Sequence, residues 1–449
     1  MMLSSCASVP DADEVIEQSN PPNNVRIMGT HGPLSAKQSA AVLGKLSNDG
    51  KVVSSLERHL AIEQAVAESP LIAGNGTQLL QDGPATFKAI FQAARAAKDH
   101  INLEYYIFQD VAYEGTKLSE LLTQKIREGV QVNLIYDSIG SIDTPSEFFT
   151  RLRQAGAKVV EFNPVNPLKA NSRYSINDRD HRKIFIVDGR LAIVGGINLS
   201  VDYQSAPFEG KSKEKTEGGA VSWHDTDLQL EGPVVAQLQK LFVDHWVEQG
   251  GPQLDTRNFY PDTGRKGNEL ARVIGSSPHT AASRYYVTLI SAIRNAEKNV
   301  SLTAAYFVPT DEEMEALTSA AKRGVDVRIL LPHLSDAKSA LFIQRSNYTN
   351  LLEAGVKIYE LPNVMLHSKT AVIDGVWSVV GSSNFDHRSV LYNDEVDVVI
   401  LGSDTADALQ KMFEEDLKRA AQINLAAWSK RSLWERLGEV GTRILQKLF

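Results

Sequence analysis

Two short segments of this sequence set a histidine and a lysine two residues apart: His181-Arg182-Lys183 and His367-Ser368-Lys369. Side chains alternate faces along a strand, so residues two apart project the same way. The apolar residues that follow each pair fit a buried strand, and each run closes on an Asp-Gly pair, Asp188-Gly189 and Asp374-Gly375, that favours a tight hairpin. The return strands, residues 190–194 and 376–380, end in Gly195-Gly196-Ile197-Asn198 and Gly381-Ser382-Ser383-Asn384. Each half of the chain therefore brings one histidine, one lysine and one asparagine to the end of a hairpin. That set suits phosphoryl chemistry. Imidazole attacks phosphorus or protonates a leaving oxygen near neutral pH, an ammonium neutralises phosphate oxygens, and an amide donates a further hydrogen bond.

A lone His-x-Lys is commonplace; two copies with matching turns and trailing asparagines are not. The aspartates read differently. Asp188 and Asp374 stand seven positions from their histidines, an odd number, so strand geometry does not aim them alongside, and they read as turn residues. A further carboxylate follows in each half. Registering the two on Gly232 and Gly402 pairs Asp225 with Glu395. Such a carboxylate can fix an imidazole tautomer, or it is ordinary strand-edge charge.

The elements that must position these groups form a repeat. Residues 101–108 resemble 300–307, 127–134 resemble 322–329, 155–159 resemble 354–358, and 181–189 resemble 367–375, in the same order. Two copies of this length make a duplicated domain and no solenoid. Each copy alternates amphipathic helices (85–98 and 117–128; 283–298 and 311–323) with short β-branched strands, the pattern of an α/β module around a buried sheet. The copies differ at one place: Glu161 to His181 spans 20 positions, Glu360 to His367 only 7. Residues 205–219, charged and Gly-rich, read as a flexible loop near the first site.

The expected boundaries are a tether with a short helical segment over 1–70, a first module over 71–265, a second over 266–425, and an amphipathic C-terminal helix over 426–449. The last places Leu433, Leu437, Val440, Ile444 and Leu448 at helical spacing, with Arg431, Arg436, Arg443 and Lys447 beside them and Trp428 and Trp434 in the stretch. It can lie in an anionic bilayer surface or dock on the protein's own core.

Composition bounds the partners. The chain has 449 residues, a net charge of -8 and 43% hydrophobic residues, with a mean hydropathy of -0.21 and a pI of about 5.8. It is long enough for two cores. The acidic balance points away from a nucleic-acid partner. No window reaches the roughly 18–20 apolar residues of a membrane span, so contact with a bilayer would be peripheral. The single cysteine, Cys6, leaves no disulfide framework and no Cys-rich zinc site. Its context, Leu3-Ser4-Ser5-Cys6 before Ala7-Ser8, resembles a lipobox. That makes Cys6 a lipidation candidate and implies a periplasm-facing lipoprotein if the true start lies upstream.

Two copies of HxKxxxxD followed by GGxN or GSxN are the signature of the phospholipase D superfamily, and the stretches holding Asp110, Gly115, Gly129 and residues 135–137 resemble its bacterial cardiolipin synthase branch, short type, from about Leu79 to the C-terminus. The resemblance implies two mixed sheets flanked by helices, related by a pseudo-twofold, with both histidines facing one site. It implies a ping-pong mechanism through a phosphohistidine, without metal or other cofactor, in a monomer that carries both copies. Carried over by position, one of His181 and His367 is the nucleophile and the other the general acid, with His181 favoured as the nucleophile. Lys183 and Lys369 share the catalytic signature with Asp188 and Asp374, Asn198 and Asn384 hold the phosphate, and Asp225 and Glu395 orient the histidines. The implied reaction joins two phosphatidylglycerols into cardiolipin and glycerol. Its rivals are hydrolysis to phosphatidic acid, a nuclease, whose relatives often carry one copy per chain, and a non-catalytic membrane scaffold. The DNA-repair branch lacks the motif aspartates that this chain retains.

Overall fold

The computed structural model describes residues 9–46, 53–166, 175, 177–207, 221–278 and 283–431. Cys6, most of the 205–219 segment and the chain beyond Arg431 lie outside them. Each copy of the repeat builds its sheet around seven matching strands. The first gives β1 (Leu71–Gln81), β2 (His100–Tyr105), β3 (Gln131–Asp137), β4 (Lys158–Phe162), β5 (Lys183–Val187), β6 (Leu191–Gly195) and β7 (Thr226–Glu231). The second gives β8 (Glu269–Ser276), β9 (Asn299–Thr303), β10 (Asp326–Pro332), β11 (Lys357–Leu361), β12 (Thr370–Ile373), β13 (Trp377–Gly381) and β14 (Asn393–Leu401).

Both copies pair in one order, β4-β3-β2-β5-β6-β7-β1 and β11-β10-β9-β12-β13-β14-β8. The β2-β3-β4 and β9-β10-β11 ladders are parallel and the remaining pairs antiparallel. The sheets join because β1 changes partner along its length: residues 76–81 pair with β7 and 72–75 with β8. Helices feed the parallel strands in equivalent ways. Leu118–Arg127 and Asp311–Lys322 each end just before a glycine in the left-handed region, Gly129 (φ 93°) and Gly324 (φ 95°), where a side chain would be strained. These are the matched Glu-Gly-Val and Arg-Gly-Val of the repeat.

The modules share a core. Ile184, Ile186, Val194 and Leu228 of the first pack in one cluster with Val380, Val396, Val398 and Ile400 of the second. Residues 9–46 and 53–67, expected to be a tether with a short helical preface, are built into the second module. Ile27, Leu43, Leu60 and Val66 are buried with Tyr286, Ile290 and Ile293. Glu63 meets Arg272 at 2.8 Å and accepts from Trp377 Nε1 at 3.0 Å, all three buried.

The histidines sit one step outside the expected strands. β5 begins at Lys183 and β12 at Thr370. Each histidine instead lies where the chain crosses to the other module. Arg179–Asp180 pairs in parallel with Asn393 and Asp394 of β14, and the His181 N–H donates to Asp394 O at 2.9 Å. Met365–Leu366 pairs with Trp223–His224, and the His367 N–H donates to His224 O at 2.8 Å.

Candidate active site

Because each histidine leaves its own sheet, it meets the other module's carboxylate. His181 Nδ1 lies 3.0 Å from both Glu395 oxygens, and His367 Nδ1 lies 2.7 Å from Asp225 Oδ2. Both carboxylates are fully buried. The structure places the two carboxylates that the register on Gly232 and Gly402 pairs each against the histidine of the other module. With each Nδ1 occupied, Nε2 is the reactive end of each ring. Both histidines line one cavity of about 550 Å³ together with Asn198 and Asn384.

The lysines lie behind the histidines. Lys183 Nζ donates to His181 O at 2.5 Å, and Lys369 Nζ donates to His367 O and lies 2.9 Å from His367 Nδ1. Burial lowers both ammonium groups, Lys183 to about 7 and Lys369 to about 8, against the pull of Glu395 and Asp225. Burial also brings His181 down to about 4, partly opposed by Glu395 and aided by Lys183, and holds His367 well below the ordinary range with help from Lys369. Burial thus lowers the positive charge that these groups carry, and a phosphate anion favours the charged forms of Lys183, Lys369 and His367. Asn198 Oδ1 accepts from the Ile107 N–H at 3.1 Å, which leaves its amide NH₂ as the donor end.

The carboxylates are held unequally. Burial pushes Glu395 up, but His181, Lys183 and Ser382 outweigh it and hold the group below the usual range. It accepts from Ser382 Oγ at 2.5 Å, Ser389 Oγ at 2.9 Å and Asn393 Nδ2 at 3.0 Å. Burial raises Asp225 to about 6 despite Lys369. The Tyr203 hydroxyl lies 3.0 Å from His367 Nδ1 and donates to Asp225 Oδ2 at 3.3 Å. Sequence reading missed Tyr203 and Ser389. Each stands five residues after its asparagine, so carrying the repeat alignment past Asn198 and Asn384 finds them. Gly196, the counterpart of Ser382, has no room for a side chain: a Cβ there would stand 2.2 Å from Asp225 Oδ1.

The structure does not bring Asp188 and Asp374 to the site, which corrects their place in the catalytic set. Both occupy the left-handed region (φ 53° each), ahead of Gly189 and Gly375 at φ 61° and 69°, as a type I′ turn requires. The Asp188 carboxylate accepts from the N–H groups of Lys98, Asp99 and His100 at 2.8–3.2 Å, and Asp374 from those of Glu297, Lys298 and Asn299 at 2.7–3.0 Å. They tie each hairpin to the start of β2 or β9. Asp188→Ala and Asp374→Ala should each cost about 2 kcal/mol, the scale of donors left unpaired. The check is thermal unfolding beside turnover: activity lost at unchanged stability would return the aspartates to the chemistry.

Two buried polar clusters frame the site. His224 Nδ1 meets Asp82 at 2.7 Å and its Nε2 meets Asp416 at 3.0 Å. Burial disfavours the imidazolium, but the Asp416 and Asp82 carboxylates raise it to about 10. Its stabilising charge is fully present below the ordinary histidine range and is lost as pH rises through about 10. This clamp holds the strand segment that delivers Asp225. Arg182, between His181 and Lys183, reaches Glu104 at 3.3 Å and Asp394 at 3.2 Å. Glu104, Asp180 and His245 bring ligand atoms within 4.8 Å of one another, as a metal site would, the one such group found among the described residues; the cation bonded to Glu104 here is the Arg182 guanidinium.

Comparison with known proteins agrees with this geometry. A family model described as "Cardiolipin synthase, PLD-like domain" matches residues 90–215 and 289–417. The cardiolipin synthase of Halalkalibacterium halodurans is 34% identical over 386 residues, covering 85% of this chain and 74% of that protein. Cardiolipin synthase 2 of Bacillus anthracis is 33% identical over 374 residues, covering 83% and 70%. Among solved structures, the phosphatidylserine synthase of Haemophilus influenzae superposes with a TM-score of 0.62 at 13% identity, covering 88% of this chain and 97% of that one, a likeness of fold.

Proposed function

Since this chain belongs to the cardiolipin synthase family of phospholipase D-like proteins, we propose that it moves a phosphatidyl group from one phosphatidylglycerol to another, giving cardiolipin and glycerol. The observation that carries the mechanism is the crossed pair of imidazole–carboxylate contacts on one cavity. His181 Nε2 attacks the donor's phosphorus, the bond to the glycerol oxygen breaks, and His367 Nε2 protonates that oxygen. The acceptor's primary hydroxyl then gives its proton to His367 and its oxygen bonds phosphorus. The P–N bond breaks and returns its electron pair to His181. Lys183, Lys369, Asn198 and Asn384 bind the phosphate oxygens. The assignment of His181 as nucleophile rests on Glu395, which stays a full anion beside the cationic phosphohistidine, whereas Asp225 is the weaker acid and suits the histidine that passes a proton. One chain supplies both histidines and both carboxylates, which supports a monomer as the working unit. The test is incubation with phosphatidylglycerol vesicles, read by mass spectrometry. Cardiolipin with equimolar glycerol is expected; phosphatidic acid as the main product would make the protein a hydrolase.

The lipid must reach this cavity from a bilayer, and no helix among the described residues is long and apolar enough to cross one. We infer peripheral contact through the cavity mouth. Ile139, Ile142, Val201, Leu334 and Phe342 are exposed, and all sit in segments that also line the cavity or flank its asparagine. Of the C-terminal stretch expected to face the membrane, Trp428 packs at a tilt against Tyr348, ring centroids 5.0 Å apart, and the remainder past Arg431 lies outside the described residues. The double change Ile142→Asp and Phe342→Asp should weaken vesicle binding about tenfold or more, since two buried side chains are worth roughly 1.5–3 kcal/mol each. Cleavage of a water-soluble phosphodiester should persist. Unchanged vesicle binding in a co-sedimentation assay would turn attention to the tail.

A further inference from the structure

The centre of the cavity is two-fold: a histidine and an asparagine from each module line it, with a lysine and an orienting carboxylate from each behind them. Its cationic flank is not. Arg179 and Arg388 both line the cavity, and the repeat sets Arg179 against Met365 and Arg388 against Asp202. Both lie where the modules interlock: Arg179 at the end of the segment that is longer in the first copy, and Arg388 on the short helix His387–Leu391 of the second, against that segment. The Arg179 N–H donates to Tyr392 O at 3.0 Å, and Arg388 Nη2 donates to Asn177 O at 3.0 Å. Arg179 is buried and tied to Asp137 at 3.3 Å. Arg388 is half-buried and takes part in no ion pair among the described residues. They flank the His181 side: Tyr106, which packs edge-on to the His181 ring at 5.2 Å, feels the charge of both guanidinium groups. Of the carboxylates on the same wall, Asp336 accepts from the Tyr306 hydroxyl at 2.7 Å, and Asp386 accepts from the Ser389 N–H at 2.8 Å and lies in the field of Arg388 itself.

We propose that Arg388, supported by Arg179, binds the second phosphodiester of the reaction, that of the acceptor phosphatidylglycerol and then of the cardiolipin formed from it. This rests on the transferase reading above. The two-fold centre can hold only the reacting phosphate. The donor's departing glycerol carries none, but the acceptor brings its own, joined through a glycerol to the hydroxyl that attacks. That oxygen bonds phosphorus, its proton passes to His367, and the P–N bond returns its electrons to His181, all with the acceptor's phosphate fixed to one side. An unpaired anion in a partly desolvated cavity is costly, and a guanidinium fork matches phosphate oxygens in pairs. Water as acceptor has no use for such a site. Arg388 is thus a specificity-determining residue that separates transfer to a phospholipid from transfer to anything else.

The experiment measures two reactions of the full chain on phosphatidylglycerol vesicles: cardiolipin formation, and exchange of deuterated glycerol into phosphatidylglycerol, whose acceptor has no phosphate. Arg388→Ala should lower cardiolipin formation about 10- to 100-fold, the scale of hydrogen bonds to a charged group. Exchange should stay within about threefold, and Arg388→Lys should fall between. Exchange also reports that the variant is folded. Parallel loss of both reactions, or unchanged cardiolipin formation, would overturn the assignment. A wild-type protein that exchanges glycerol yet makes no cardiolipin would instead overturn the transferase reading itself.

Discussion

His181→Ala should lower cardiolipin formation by at least about 10⁴-fold, the scale of losing a covalent nucleophile, and His367→Ala by about 10²- to 10⁴-fold, the scale of losing a general acid. Loss of turnover in both variants would not distinguish their roles, because each removes one step of the same cycle. The covalent intermediate does. A donor with a good leaving group, such as a p-nitrophenyl phosphodiester, needs no proton delivered to its departing oxygen. His367→Ala should therefore still become phosphorylated, and the adduct should accumulate because nothing activates the acceptor. His181→Ala should give no adduct. Intact-mass measurement reads the difference, and the opposite pattern would exchange the two roles. The pH dependence of adduct formation follows from burial. The neutral ring is the nucleophile, and burial brings His181 down to about 4. It stays unprotonated as pH falls from 7 to 5, so the rate should hold over that range and drop only near pH 4. An acid limb near 6.5 would mean that the ring is solvated in solution.

How far the sequence led depends on how local each feature is. The hairpins were legible because Asp-Gly encodes its own backbone, and both turns have the left-handed angles that the pair favours. The resemblance implies mixed sheets without a strand order, and nothing in residues 71–81 announces that one strand will change partner halfway. The shared face of His181 and Lys183 was inferred from strand alternation, yet the ladder ends at Lys183. The Asp394 carbonyl competes for the His181 N–H, a contact across 213 positions that no local pattern contains. Residues 9–46 and 53–67 mislead through composition: Leu60 and Val66 supply a buried stripe, and even polar Glu63 and His59 are buried against the second module. The carboxylates were identifiable by register, but which histidine each serves is decided by the crossing of chains between modules.

That crossing makes the strongest structural prediction. Glu395→Gln should reduce turnover by about 10²- to 10⁴-fold, the range seen when a carboxylate behind a catalytic imidazole becomes an amide, although Glu395 lies 214 positions from His181 and in the other module. A glutamine offers one acceptor where the carboxylate now meets His181, Ser382, Ser389 and Asn393. Its NH₂ group facing Nδ1 would force the proton to Nε2 and leave the attacking nitrogen blocked. Asp225→Asn should act on His367 in the same way, with a smaller loss, because Asp225 already sits at about 6 and Tyr203 remains to hold the ring. The adduct assay separates the two again: Glu395→Gln should slow phosphorylation of His181, whereas Asp225→Asn should leave it near wild type and slow only the release to acceptor. If the carboxylates instead served the histidines of their own modules, these two outcomes would be reversed. The double variant should lose less than the product of the single losses, since residues acting on one cycle are not additive. An interlocked pair of this kind also explains why duplication produced one site and not two: neither histidine has a carboxylate of its own until both modules are folded against each other.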